Sequence, residues 1–134
     1  MTEDNAGAMD IVYVRAAYDR LMDAFAGGNT ADYFACFHED ASFIFPSEEL
    51  LESRSTYESA WSRWQGEGVQ FTDVVADDVR VRVVGDTAVV THRLHTTVLS
   101  DGASNVDRER ESIIFSRVGG RWLAVHEHLS PEPT

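Results

Sequence analysis

The chain contains no lysine: all 11 basic side chains are arginine, set against 23 acidic ones. Without lysine there is no amine to form a Schiff base or to act as a lysine nucleophile. The net charge of −12 repels phosphate backbones and anionic lipid headgroups, so neither a nucleic acid nor a membrane is expected as a partner. Cysteine is nearly absent too. Cys36 stands alone, so no internal disulfide forms, in keeping with a reducing compartment. Within Tyr33-Phe34-Ala35-Cys36-Phe37 it reads as a small buried filler rather than a catalytic thiol. No apolar run approaches the roughly 20 residues a membrane helix needs, and Met1–Met9 lacks both the basic start and the hydrophobic stretch of a leader. The expected location is the cytoplasm. Gly-rich nucleotide loops and metal motifs are missing as well, so no cofactor is expected.

What is present reads as one globular domain of 134 residues, 43% apolar, large enough to bury a core. The expected boundaries are a loose N-terminus at 1–8 and a single domain over 9–131. Ile11, Val14, Tyr18, Leu21, Met22 and Phe25 recur at three- and four-residue spacing, predicting a helix over Met9–Ala26 that ends at Gly27-Gly28. Asn29 or Thr30 then caps a short second helix with Tyr33, Phe34 and Phe37 facing inward. Ala41–Phe45 reads as a strand closed by Pro46. Ser55-Thr56-Tyr57-Glu58 fits a capping box, opening a third helix with Tyr57, Trp61 and Trp64 on one side. After Gly68 four β-rich runs follow, separated by turns at Gly85-Asp86, Asp101-Gly102 and Gly119-Gly120, with a break expected in the first run at Ala76-Asp77-Asp78. Helices first and a meander second is an α+β pattern.

Three segments carry a family resemblance. Cys36-Phe37-His38-Glu39-Asp40-Ala41-Ser42-Phe43 covers the passage from the second helix to the first strand. Arg121-Trp122-Leu123-Ala124-Val125-His126-Glu127-His128-Leu129-Ser130 is the last strand. The hairpin from Arg93-Leu94 through Asp101-Gly102 to Glu111-Ser112 precedes it. Their order resembles the nuclear transport factor 2-like, or SnoaL-like, superfamily over Asp10–Pro131. They are most similar to small bacterial relatives of the calcium/calmodulin-dependent protein kinase II association domain. The resemblance implies a cone-shaped roll, three N-terminal helices packed on a strongly bent mixed or antiparallel sheet. It also implies a small-molecule pocket and a homodimer through the outer sheet face. Two functions follow as expectations. One is a cofactor-free isomerase, cyclase or dehydratase acting on a small organic compound, anionic compounds included; the other is a non-catalytic association module like the kinase hub.

Strand alternation sorts the candidate site residues, since i and i+2 share a face. By analogy with the family, Arg93, His95, Glu111, Ile113, Phe115, Val125, Glu127 and Leu129 are expected on the concave side. Arg93 would hold an anionic oxygen bidentately, with His95, Glu111 or Tyr18 as acid or base. The competing reading makes Arg93 and Glu111 a structural ion pair between strands. Arg93 matches a pocket arginine of the kinase hub, whose other pocket arginines are replaced by Ile113 and Leu129. Trp61, Trp64 and Phe45 are expected to line the ligand space with Ile113, Phe115, Glu127 and Leu129. Set against ketosteroid isomerase, another family member, the oxyanion-hole tyrosine falls at Leu21 and the catalytic aspartate at Phe45. That chemistry needs a carboxylate base, which excludes it. His126 and His128 share a face but lack a third ligand, so no metal site is expected. Glu48, Glu49 and Glu52 suggest a solvated loop or lid.

Overall fold

The computed structural model describes residues 2–133. Three helices precede the main sheet: α1 (Thr2–Ala26), α2 (Thr30–Ala35) and α3 (Arg54–Gly66), with β1 (Phe37–Ile44) between the last two. Four long strands follow, β2 (Gln70–Val84), β3 (Thr87–Ser100), β4 (Ala103–Val118) and β5 (Arg121–Pro131). The fold is α+β, a cone of helices on a curved mixed sheet of order β1-β5-β4-β3-β2. All neighbours are antiparallel except β1 with β5, which run parallel. Among the described residues no helix is long and apolar enough to cross a membrane.

Helix α1 starts at Thr2, seven residues before the expected Met9. Its buried stripe is Val14, Ala17, Tyr18, Leu21 and Ala24, while Ile11 stays exposed. Val14 is the first buried residue of the helix among those whose burial is described. Asn29 caps α2, its side-chain oxygen accepting from the Asp32 backbone N–H at 3.2 Å. The cap of α3 is Ser53, two residues before the expected Ser55: Ser53 Oγ accepts from the Thr56 N–H at 3.2 Å. Ser53 adopts extended geometry, φ −155° and ψ 163°, which is what an N-cap requires. β1 begins at Phe37, earlier than expected, because its pairing with β5 opens at Phe37 opposite Ala124.

The bend of the cup originates in β2. Its pairing with β3 slips between Thr72 and Val75 and again between Asp77 and Arg80. Asp73 and Asp78 sit there at φ 47° and 52°, in the left-handed region that short Asp side chains tolerate. Each slip is a bulge that tightens strand curvature. Val79, Val81 and Val83 pack inward against the core while Arg80 and Arg82 face water. The core itself lies between the helices and the concave face, with Phe37, Phe43, Phe115, Leu21 and Ile113 almost completely enclosed.

Candidate functional site

The concave face of the sheet does not close completely on the helices, and a cavity of about 330 Å³ remains. Helices and the β1–α3 loop supply an aromatic wall: Phe25, Tyr33, Phe45, Tyr57, Trp61 and Trp64, with Phe71 from β2. The loop is held in place, since Phe43 and Leu51 exchange backbone hydrogen bonds of 2.9 and 3.0 Å. Glu48 accepts from Arg63 at 2.7 Å and from Trp64 Nε1 at 3.0 Å, tying the expected lid segment to α3. The sheet supplies the opposite wall, where Leu94 and Thr96 on β3, Asp107, Glu109 and Glu111 on β4, and Glu127 and Leu129 on β5 face the space.

Glu111 and Glu127 form the polar floor, 5% and 3% exposed. They sit diagonally on adjacent strands, Glu111 opposite Leu129 and Glu127 opposite Ile113, and are hydrogen-bonded to each other. Two carboxylates this close and this dry cannot both ionise at low cost. Burial raises Glu111 from 4.5 to about 7, and the bond to Glu127 pulls it back down. Burial, reinforced by the charge and hydrogen bond of Glu111, holds Glu127 well above the ordinary carboxylate range. The pair therefore keeps a proton near neutrality, and the hydrogen bonds around it favour Glu127 as its holder and Glu111 as the ionised member.

A buried chain of donors enforces that assignment. Tyr18 OH lies 2.5 Å from His92 Nδ1, and His92 Nε2 lies 2.7 Å from Glu111 Oε1. Burial lowers His92 from 6.5 to about 4 and raises Tyr18 to about 12, so the ring is neutral and the phenol protonated. One arrangement satisfies every atom: Tyr18 donates to Nδ1, and Nε2–H donates to the Glu111 carboxylate. From the other side Tyr33 OH donates to Glu127 at 3.4 Å and meets Tyr57 OH at 2.9 Å. Burial first, and the charge of Glu127 second, push both phenols well above 10, so they remain donors. Trp61 Nε1 is the one buried side-chain donor without an acceptor among the described residues.

The structure distributes the expected site residues unevenly. Glu111, Glu127, Trp61, Trp64, Phe45 and Leu129 line the cavity, as do Leu21 and Phe45 at the two positions compared with the steroid isomerase. Ile113 and Phe115 lie on the expected face but are 0% and 1% exposed; they are core beneath the cavity, not its lining. Tyr18 touches the site only through His92. Arg93 and His95 are on the wrong face. β3 pairs with β4 so that His92 stands opposite Glu111 and Arg93 opposite Arg110, and directly opposed residues share a face. His92, Leu94 and Thr96 therefore point into the cup, and Arg93 and His95 point out. Arg93 pairs with Asp77 at 2.9 Å, while His95 contacts Glu132 at 3.0 Å. Val125 is the extra residue where the β4–β5 register slips between Ile114 and Phe115, so Ala124 and Glu127 both face inward. His126 bonds Ser42 Oγ at 2.8 Å, and no cluster of potential metal ligands occurs among the described residues.

Arg93→Ala is accordingly expected to change stability by less than about 1 kcal/mol, as an exposed pair contributes little. Ligand binding in the cavity should be unaltered. Thermal denaturation with and without a bound ligand checks both; a loss of binding would place Arg93 back inside. The sequence signal for the correct face was present: Ala88, Val90 and Leu94 make the even-numbered side of β3 the more apolar one. His92, Tyr33 and Tyr57 were missed as functional groups because their roles depend on partners 19 to 94 residues away.

A family model for the SnoaL-like domain matches residues 14–133. No curated protein matches the chain. Among solved structures, a candidate dehydratase of the NTF2-like family from Streptomyces avermitilis superposes with a TM-score of 0.78 at 20% identity, covering 95% of this chain and 99% of that one. An NTF2-like protein of unknown function in nutrient uptake from Rhodospirillum rubrum gives 0.77 at 22% identity, over 90% and 98%. The CamKII hub homology domain of Chlamydamonas reinhardtii gives 0.68 at 21% identity, over 92% and 98%.

Proposed function

The chain belongs to the SnoaL-like domain family, and from that premise we propose that it catalyses cofactor-free proton transfer on a small, largely apolar organic molecule bound in the cup. The observation that carries this reading is the buried Glu111–Glu127 pair, holding one proton at the floor of an aromatic-walled cavity. Glu111, ionised and oriented by His92, takes a proton from an activated carbon or hydroxyl. Glu127 delivers its proton at a second position. The substrate leaves isomerised, and the pair has exchanged its protonated and ionised members, so no proton is gained or lost. Tyr33 and Tyr57 steady Glu127 and donate to charge that develops beside it. An apolar, water-poor wall strengthens each of these interactions.

The anionic ligand expected from the sequence is not retained, because Arg93, its anchor, faces away. The similarity to hub domains supports fold alone. A homodimer through the convex face stays compatible with the reading, since that face and the cavity are on opposite sides of the sheet.

The test is hydrogen–deuterium exchange at the acidic α-carbon of 2-tetralone in D2O, followed by NMR. Wild type is expected to exchange it faster than buffer, and Glu111→Gln to lose about 10²–10⁴-fold, the usual contribution of a positioned general base. Equal rates for both proteins, with both folded, would remove the catalytic reading.

A further inference from the structure

We infer that the molecule the cavity is built for is an organic cation, with its ammonium at the mouth beside Asp107 and Glu109 and its apolar body against the aromatic wall. The inference deepens the reading above, on which it rests, by naming the substrate class.

It starts from how one strand sorts its charges. Asp107-Arg108-Glu109-Arg110-Glu111 alternates sign residue by residue, and the pleat sends the two signs to opposite faces. All three carboxylates reach the cavity, whereas Arg108 and Arg110 point to the convex side with Arg93 and His95, their cross-strand partners on β3. The result is a ladder from exposed Asp107 through half-buried Glu109 to buried Glu111. With Glu127 the lining holds four acidic side chains and no arginine or histidine. Elsewhere the chain neutralises many of its carboxylates with guanidinium groups, as at Arg15–Asp19, Arg63–Glu48 and Arg117–Asp86. Among the described residues Asp107 and Glu109 have no such partner.

The cavity makes this more than an acidic patch. Its opposite wall is aromatic, with Phe45, Tyr57, Trp61, Trp64 and Phe71 in mutual edge and tilted contacts, and π faces attract cations. A carboxylate ligand would meet like charge on one wall and an apolar surface on the other. A neutral ligand would leave Asp107 and Glu109 unpaired. An amine on an apolar body satisfies both walls, keeps part of its charge in water at the mouth, and leaves its body to extend inward towards Glu111 and Glu127. Trp61, on that wall, also carries a buried Nε1–H with no acceptor among the described residues.

The experiment is isothermal titration at pH 8 with three matched probes: 1-naphthylmethylamine, 1-naphthalenemethanol and 1-naphthoate. Wild type is expected to bind the amine at least tenfold more tightly than the alcohol and to leave the carboxylate unbound. Glu109→Gln and Asp107→Asn should each bring the amine towards the alcohol while the alcohol's own affinity holds. If the alcohol binds as well as the amine, or the carboxylate binds best, the cation inference is overturned and the cavity reading survives. If folded protein binds none of the three, the cavity reading fails with it.

Discussion

Glu127→Gln is expected to give a protein that is more stable than wild type at pH 8 and inactive in proton transfer. Glutamine preserves the shape and a hydrogen bond to Glu111 but can neither ionise nor release a proton. In wild type the folded state holds Glu111 at about 7 and Glu127 above the ordinary carboxylate value of 4.5. Between pH 4.5 and 7 the native state thus binds more protons than the unfolded chain, and stability falls as pH rises. Below 4.5 the contribution is fully present; above the folded values it is gone. His92 acts with the opposite sign, because its folded value of about 4 lies below 6.5, so its contribution grows from pH 4 to 6.5. The two trends oppose each other in mildly acid solution, and the carboxylate decline shows above it. Glu109, also raised to about 7 by burial and by Asp107, is present in both proteins and drops out of their difference. Tm of Glu127→Gln should therefore exceed that of wild type by several degrees at pH 8, with the gap closing towards pH 5. An equal or lower Tm at pH 8 would show that the pair does not share a proton under strain. The expected exchange of activity for stability is what a site that buries ionisable groups for function should display.

Much of the fold was legible because it rests on local chemistry. The helical spacing of Val14, Tyr18 and Leu21, the glycine turns, and the alternation Val79–Arg80–Val81 each express one residue's preference without help from afar. Strand alternation grouped Glu111 with Ile113 and Phe115 and Glu127 with Leu129, and the family analogy turned those faces inward, where the structure has Glu111 and Glu127. Arg93 was not readable in the same way. Its face depends on which β4 residue stands opposite, and a slip of one residue exchanges the two faces. The family analogy pulled Arg93 inward against the apolar pattern Ala88, Val90, Leu94. Pairing Arg93 with Arg110 instead of Glu111 turned an expected anion site into an acidic one. The Ser53 cap was missed for a smaller reason: Ser53 and Ser55 are both capping residue types two positions apart, and the extended backbone at Ser53 puts Ser55 inside the helix.

Phe37→Ala is expected to be the most damaging single truncation in the core, costing about 3–5 kcal/mol. Phe37 is 1% exposed and opens β1 at the point where the parallel pairing to β5 begins. Its ring stands edge-on to Tyr33 at 5.1 Å and to Phe43 at 5.2 Å, packing that no neighbour can replace by a simple rotation. The consequence extends beyond stability. Tyr33 reaches Glu127 through its hydroxyl, and a void behind its ring lets that hydroxyl drift from the carboxyl it steadies. Phe37→Ala should thus slow proton transfer even in the cold, where the protein is still folded. Trp64→Ala, on the cavity wall and half-buried, should do the reverse: a smaller loss of stability and a larger loss of ligand affinity. Chemical denaturation alongside probe titration separates the two. If both substitutions weaken stability and binding in the same proportion, the division between a rigid core and an adaptable wall is wrong. If they diverge as described, the cup is a wall of replaceable aromatics standing on a core that fixes where Glu127 points.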